Sequence, residues 1–223
     1  MGQAIFEEGG LKLEICFFKE IDSTQKRLIE DLKSRSVQAP IAYFSTHQTA
    51  GVGSRGNSWI GEEGNFFLSF AITKRQLPSD LHLQSLSIYV SYLLKMVLAQ
   101  RGSKVWIKWP NDFFIEDRKC GGCVTNVVGE SFVCGIGLNT KRAPEGFGKI
   151  DIAVDEGELL QAYFELLEAK LSWKEIFSNF RVEFHKSRHL YVHIKGERVL
   201  LKDAQLAEDG ALIIGEERVY SLR

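Results

Sequence analysis

Short apolar runs separated by polar, turn-forming residues dominate the first half of the chain. They predict strands at 11–18, 41–45 and 65–72. The last run is apolar almost throughout, which indicates a strand buried on both faces. After the first run, Asp22, Ser23 and Thr24 supply N-cap residues for a helix with one apolar face. The segment 81–100 is apolar nearly all round, which predicts a buried helix.

The second half shows closely spaced strands followed by helices. Four strands are predicted at 105–109, 113–115, 120–128 and 131–136. Two helices are predicted at 155–170 and 172–186. Because tight turns join the consecutive strands, we expect largely antiparallel pairing. The fold class is therefore α+β, a mixed sheet with helices packed on it.

The hydrophobic pattern changes again near the C-terminus. From Leu190 onward, short strands are interrupted at turns predicted at Lys195-Gly196, 208–210 and Gly215. We therefore place a boundary near residue 187, with a large domain at 1–186 and a small all-β module at 187–223. A module of this size is below the length that usually folds alone.

Composition limits the class of protein. Hydrophobic residues make up 44% and charged residues 26%, as in globular chains. Basic residues number 28 and acidic residues 29, so no broad positive field favours nucleic acid. The sequence shows neither a signal peptide nor an apolar run long enough to span a membrane. Four scattered cysteines suit free thiols, and we expect a cytoplasmic protein.

A glycine-rich stretch lies between two predicted strands. Residues 51–56 match the dinucleotide fingerprint G-x-G-x-x-G. That fingerprint opens a helix, whereas here Trp59 and Gly64 follow and then a strand. The spacing alone is compatible both with a ligand-binding loop and with a plain surface loop.

Two basic clusters flank one predicted hairpin. Residues 108–112 place a lysine, a rigid turn, an amide and a carboxylate at a strand end. Residues 118–122 add Arg118 and Lys119 beside paired glycines, which allow a ligand to approach the backbone. Each cluster alone suits a solvent-exposed turn, but together they favour a phosphate ester.

The order of these motifs resembles the biotin protein ligase family. The match is strong over about 15–140 and is carried by Asp22-Ser23-Thr24, Gln48 to Gly51, Trp59, Gly64-Asn65, Lys108 to Asp112, Arg118-Lys119 with Gly122, and Gly135 to Asn139. The resemblance implies a catalytic domain similar to the class II synthetases. More weakly, the last strands resemble the small SH3-like barrel of that family.

The resemblance also implies a set of binding residues. Those expected to contact biotin are Ser23, Thr24, Gln48, Gly51, Lys119, Gly122 and Gly135. Those expected near ATP or the adenylate are Arg55, Trp59, Asn65, Lys108, Asn111 and Asn139. Because biotin has a polar ureido ring and an apolar thiophane, its pocket needs a few hydrogen-bonding groups in an apolar cleft.

The implied reaction has two steps at one site. Biotin and ATP, with Mg²⁺, form biotinyl-5'-AMP, and a lysine of a biotin carboxyl carrier protein then takes the biotin. Lys119 is expected to stabilise the phosphoryl transition state, with Lys108 assisting at the phosphates. Asp112 is expected to accept the proton of the incoming amine. The carrier would be a domain of acetyl-CoA or pyruvate carboxylase.

Further expectations concern partners and rival functions. Only about twenty residues precede Asp22, so we expect a form without a DNA-binding helix-turn-helix. We expect no DNA or membrane partner, and a monomer or weak homodimer. A lipoate protein ligase is the nearest alternative enzyme, and a non-catalytic biotin or nucleotide sensor is the alternative of another class.

Three features of the sequence depart from or compete with this interpretation. The family usually carries arginines where this chain has Val52, Ser54 and Asn57, so we expect the loop to order over the nucleotide with fewer charge-assisted bonds. The C-x-x-C spacing at 120–123 lacks the further ligands of a zinc site, so both cysteines are predicted to face the core. Histidines at 185, 189 and 193 fall partly on a predicted strand, and no metal site is expected there.

Overall fold

The computed structural model describes residues 2–8, 11–53 and 56–220. The strands of its larger part are β1 (Gly2–Glu8), β2 (Leu11–Phe18), β3 (Ile41–Ser45), β4 (Gln48–Val52), β5 (Ser58–Gly61), β6 (Phe66–Ile72), β7 (Trp106–Lys108), β8 (Asp112–Ile115), β9 (Arg118–Val128) and β10 (Ser131–Leu138). Eight of these form one sheet in the order β1-β2-β3-β6-β10-β9-β8-β7. Strands β4 and β5 form a separate hairpin beside it.

In the part of the chain that the structure describes, four α-helices cover the sheet. They are α1 (Thr24–Lys33), α2 (Leu86–Gln100), α3 (Glu156–Glu168) and α4 (Trp173–Glu183). Helix α1 packs Leu28 against Tyr43 and Val133 on one face of the sheet, whereas α2, α3 and α4 belong to the large core on the other. Strand β6 lies between the two layers, and all its residues are buried, as its apolar run predicts. Among the described residues, no helix is long and apolar enough to cross a membrane.

The sheet is mixed, as expected. Strands β2 and β3 are parallel, with α1 as their crossover, and the other pairs are antiparallel. Strand β1 was not predicted. It is an edge strand in which residues 2–5 are exposed, with Ile5 facing solvent, so its sequence carries little apolar signal.

The C-terminal part consists of short strands, as predicted. They are β11 (Tyr191–Ile194), β12 (Glu197–Leu200), β13 (Gln205–Leu206), β14 (Leu212–Ile214) and β15 (Glu217–Val219). Strands β11 and β12 form one hairpin and β13 to β15 a three-stranded sheet. Positive φ angles at Gly196, Gly210 and Gly215 mark the predicted turns. The β-rich character is confirmed, and strand pairing within 191–219 forms two sheets.

One turn of this C-terminal part is held by the main domain. The Trp109 Nε1–H donates to the Gly210 carbonyl at 2.9 Å, and the Trp173 Nε1–H donates to the Glu208 carbonyl at 2.8 Å. The Ser85 hydroxyl donates to the Asp209 carbonyl. Three side chains therefore satisfy three successive carbonyls of the turn.

Asp209 gives this turn a predicted pH dependence. Burial acts to raise the pKa of its carboxyl, but bonds from Arg218 and the Ala211 N–H outweigh burial and hold that pKa below its ordinary value. A carboxyl whose pKa is lowered by folding contributes stability above its unfolded pKa, and this contribution is lost as the pH falls through the folded pKa. We therefore expect Asp209→Asn to reduce the free energy of unfolding by about 1 kcal/mol at neutral pH.

Urea denaturation of both proteins from neutral to acid pH measures this effect. The difference should begin to shrink as the pH falls below about 4, where the carboxyl of the unfolded chain becomes protonated, and should be lost only below the lower pKa of the folded carboxyl. Asp203→Asn, at an exposed site in the same region, is the control. A difference that stays constant with pH contradicts the assignment.

Candidate active site

The N-terminus of α1 forms one wall of a pocket. Ser23 is its N-cap, and its hydroxyl oxygen accepts the Lys26 N–H at 3.4 Å. The Thr24 N–H and hydroxyl lie 2.8 Å and 3.0 Å from Gln48 Oε1, which accepts from both. Since Gln48 begins β4, these bonds fix the helix terminus against the β4–β5 hairpin. The sequence-predicted residues Ser23, Thr24 and Gln48 are thus brought together, and all three are buried.

Glycines form the floor of this pocket. Gly135 and Gly137 lie on β10, and Gly122 of β9 pairs with Gly137. A Cβ at Gly135 would collide with the Gln25 amide, and one at Gly137 would lie 3.0 Å from Trp59 Nε1. Side chains here would fill the pocket, which accounts for glycine at these positions. Gly51 differs, because a Cβ there would lie 2.6 Å from the Trp59 carbonyl of its own hairpin.

Charged groups gather at the other end of the pocket. Lys119 Nζ lies 2.6 Å from Asp112 Oδ1, and Lys108 Nζ lies 3.8 Å from Asp112 Oδ2. Lys119 Nζ also lies 5.7 Å from the centre of the Trp59 ring, within cation–π range. The three charged side chains are between 14% and 31% exposed, so a ligand can reach them while water is partly excluded. The arrangement suits an anionic group.

The pocket opens into a wider cleft of about 500 Å³. Both spaces are lined by Asp112 and Lys119. The cleft adds Lys108 and Asn111 from the main domain, and His193 and Tyr220 from the C-terminal part. The charged cluster therefore stands at the junction between a small inner pocket and an outer space large enough for a nucleotide.

Of the residues predicted near the nucleotide, some line the pocket or the cleft and others are buried away from both. Trp59 lines the inner pocket, and the Asn111 Nδ2–H₂ donates to the Cys123 carbonyl at 2.8 Å at the cleft wall. Asn65 and Asn139 are fully buried, and their amides bond within the protein. We therefore propose that these two hold neighbouring loops rather than touch a ligand. Arg55 and Ser54 lie outside the described residues.

Asn65 organises the loop after β10. Its Oδ1 accepts the backbone N–H groups of Thr140, Lys141 and Arg142 at 3.0, 2.9 and 3.1 Å. Removing it would leave these donors without their acceptor. We expect Asn65→Ala to lower the free energy of unfolding by about 3 kcal/mol, measured by urea denaturation. The control is Asn179→Ala on the exposed face of α4, and comparable small losses in both variants would contradict this role.

Two polar residues of the pocket were missed by the sequence prediction. Gln25 follows Thr24 directly and lines both spaces. Ser69, on β6, lies with its Oγ 2.8 Å from the Thr24 Oγ1. A detectable signal existed for Ser69, because it is the one polar residue in the apolar strand 66–72. A lone polar group in a buried strand needs a partner.

The cysteines of the C-x-x-C motif are buried in the core, as predicted. Burial raises the pKa of both Cys120 and Cys123 to about 12, so the thiols remain protonated. Among the described residues, no three histidine, cysteine or acidic side chains cluster to hold a metal. His185 bonds the Val182 carbonyl and His189 pairs with Asp117, so these two histidines make separate contacts.

Fold and cavity together define an α+β small-molecule-binding domain whose pocket has a polar, glycine-floored end and a charged end. A family model for the biotin/lipoate A/B protein ligase family matches residues 17–140. The chain belongs to the biotin/lipoate A/B protein ligase family. The matched region contains every described residue predicted for the site.

Comparison with individual proteins agrees with this assignment. The bifunctional ligase/repressor BirA of Escherichia coli is 33% identical over 162 residues, covering 68% of this chain and 46% of that protein. The chain thus spans about half the length of this curated relative. A solved Helicobacter pylori biotin acetyl coenzyme A carboxylase synthetase, with bound biotinylated ATP, is 37% identical at a TM-score of 0.88. That match covers 92% of this chain and 98% of the other.

A more distant structure supports the fold alone. The biotin protein ligase of Aquifex aeolicus, in complex with biotin and ATP, is 21% identical and has a TM-score of 0.74. It covers 94% of this chain and 95% of the other chain. The mixed sheet, its helices and the β-rich C-terminal part therefore form a shared architecture.

Proposed function

We propose that this chain is a biotin protein ligase, which activates biotin with ATP and transfers it to a lysine of a carrier protein. The observation that carries the proposal is the two-ended pocket. Ser23, Thr24 and Gln48 present hydrogen-bonding groups at one end, and Lys119 with Asp112 stands at the other. A ligand with a polar ring and a terminal carboxylate fits both ends. The Helicobacter pylori relative, similar over nearly its whole length, has biotinylated ATP bound.

In the first step, the biotin carboxylate attacks the α-phosphate of ATP and displaces pyrophosphate. Negative charge is concentrated where the two anions meet, and fixed cations are the main catalytic requirement. Lys119 lies at the junction of pocket and cleft, where the carboxylate and phosphate would meet. Lys108 lies on the cleft side and would contact the phosphates. Mg²⁺ enters with the ATP phosphates as part of the nucleotide substrate.

In the second step, a lysine amine attacks the acyl carbon of biotinyl-5'-AMP and AMP leaves. The amine attacks in its neutral form and loses a proton as the amide forms. Asp112 lies at the same junction and accepts or orients that proton. The amine would arrive through the outer cleft. The biotin carboxyl carrier domain of a carboxylase is the proposed partner, since a Mycobacterium tuberculosis relative, 28% identical over 109 residues, is a biotin–[acetyl-CoA-carboxylase] ligase.

The reaction also favours a compartment. The reaction consumes ATP, and the four cysteines are free, buried thiols, as suits a reducing compartment. We therefore place the protein in the cytoplasm as part of the proposal.

The decisive experiment compares two acids. The protein is incubated with ATP, Mg²⁺ and either biotin or lipoate, and pyrophosphate release is followed. Release with biotin supports the proposal, release with lipoate alone supports a lipoate ligase, and biotin binding without release supports a sensor. Transfer is then measured with a purified carboxyl carrier domain, and a carrier lysine-to-arginine variant is the control.

A further inference from the structure

Gln25 has an unusual hydrogen-bonding state. It is the second residue of α1, and only 5% of it is exposed. Its Oε1 is one of five buried side-chain atoms without a hydrogen-bond partner in the described part of the chain. An unsatisfied buried acceptor is unfavourable, so its retention calls for an explanation.

The orientation of the Gln25 amide is fixed by the hydrogen bonds of its NH₂ group. Gln25 Nε2 lies 3.0 Å from Asn126 Oδ1 and 3.3 Å from the Val133 carbonyl, and donates to both. A main-chain carbonyl only accepts, so the NH₂ group must face Val133. The carbonyl oxygen therefore faces the opposite way, over Gly135 of the pocket floor.

The position of Oε1 along the floor indicates which part of a ligand it meets. Gly135 and Gly137 are two residues apart on β10, which separates them by about 7 Å. Over Gly137 lies Trp59, next to the Lys119 ammonium. Over Gly135 lie Gln25 Oε1 and the Ser69 hydroxyl, beside Thr24. A ligand whose carboxylate meets Lys119 therefore places its ring at Gln25.

We propose that Gln25 Oε1 accepts a hydrogen bond from a ring N–H of the bound acid, which makes Gln25 a specificity-determining residue. The inference rests on the proposed function and deepens it. A cyclic urea carries two N–H donors, whereas the dithiolane ring of lipoate carries none. Lipoate in the same pocket would leave the buried oxygen unsatisfied and displace any water near it. Gln25 thus favours a cyclic urea over rings that lack donors.

The test combines protein variants with ligand variants. Gln25→Met keeps the length of the side chain and removes the acceptor, and Gln25→Asn retracts the amide by one methylene. The ligands are biotin and its two cyclic carbamates, each with one ring N–H replaced by oxygen. Gln161→Met, on the exposed face of α3, is the matched control. Dissociation constants are measured by calorimetry for every pair.

We expect Gln25→Met and Gln25→Asn to weaken biotin binding about tenfold. One of the carbamates should bind the parent about tenfold more weakly than biotin, and this penalty should disappear in Gln25→Met. The ratio of two ligands on one protein is insensitive to the folded fraction, so a partial folding defect does not imitate the result. The ratio of the dissociation constant for lipoate to that for biotin should also decrease in the same variants.

Two outcomes overturn the inference, and they differ in whether the proposed function is still supported. If both carbamates bind the parent as tightly as biotin, or the penalty persists in Gln25→Met, Gln25 does not accept a hydrogen bond from the ring. Biotin-dependent pyrophosphate release by the parent would then still support the proposed function. If the parent neither binds biotin nor releases pyrophosphate with it, both proposals fail.

Discussion

Lys119→Ala is expected to slow biotinyl-adenylate formation by a factor of about 10² to 10³, while biotin binding changes far less. The Lys119 ammonium stands at the junction of pocket and cleft, held 2.6 Å from Asp112 Oδ1. Charge grows there during phosphoryl transfer, so the cation acts mainly in the transition state. Single-turnover release of pyrophosphate measures the rate, and equilibrium titration measures biotin binding.

Lys195→Ala is the matched control for this prediction. Lys195 also pairs with an acidic residue, Glu217, but it lies exposed on the C-terminal part. Its variant should behave as the parent in both measurements. A Lys119→Ala rate within about threefold of the parent would remove Lys119 from its proposed role.

Asp112→Asn should separate the two steps of the reaction. The amide retains the shape of the carboxylate but does not take up a proton at neutral pH, so we expect transfer from preformed adenylate to slow by about 10². Adenylate formation should fall less, because Lys119 and Lys108 remain. Transfer to a carrier domain is followed in a single turnover that starts from added biotinyl-5'-AMP.

The control for Asp112 is Asp117→Asn on the neighbouring turn. Asp117 pairs with His189 on the surface, outside the cleft. Its variant should transfer biotin at the parental rate. Equal losses in formation and transfer for Asp112→Asn would instead indicate that Asp112 only positions the lysines.

The sequence allowed the buried elements to be predicted because they carry a strong apolar signal. The run 65–72 is confirmed as β6, and the apolar segment 81–100 contains α2. The β4–β5 hairpin was predicted only as a glycine-rich stretch. Its two strands are short and show no strong alternation of apolar and polar residues. Backbone pairing rather than side-chain burial defines the hairpin.

The candidate site was predicted where chemistry and local structure coincide. Ser23 is confirmed as an N-cap, and the two basic clusters meet at Asp112. The ligand contacts of these residues stay predictions. Gln25 was not predicted, since its role depends on a carbonyl at Val133, more than a hundred residues away in sequence. Local patterns carry no information about such pairings.

The indole bonds to the turn at 208–210 have a consequence for how the molecule loses its structure. Trp109 belongs to the segment that carries Lys108 and Asp112, yet its N–H is satisfied only when Gly210 is in place. Detaching the C-terminal strands would leave two indole donors unbonded and uncover Trp173. Both parts should therefore melt in one cooperative transition, and an opening of the C-terminal strands alone should be rare on the timescale of hydrogen exchange.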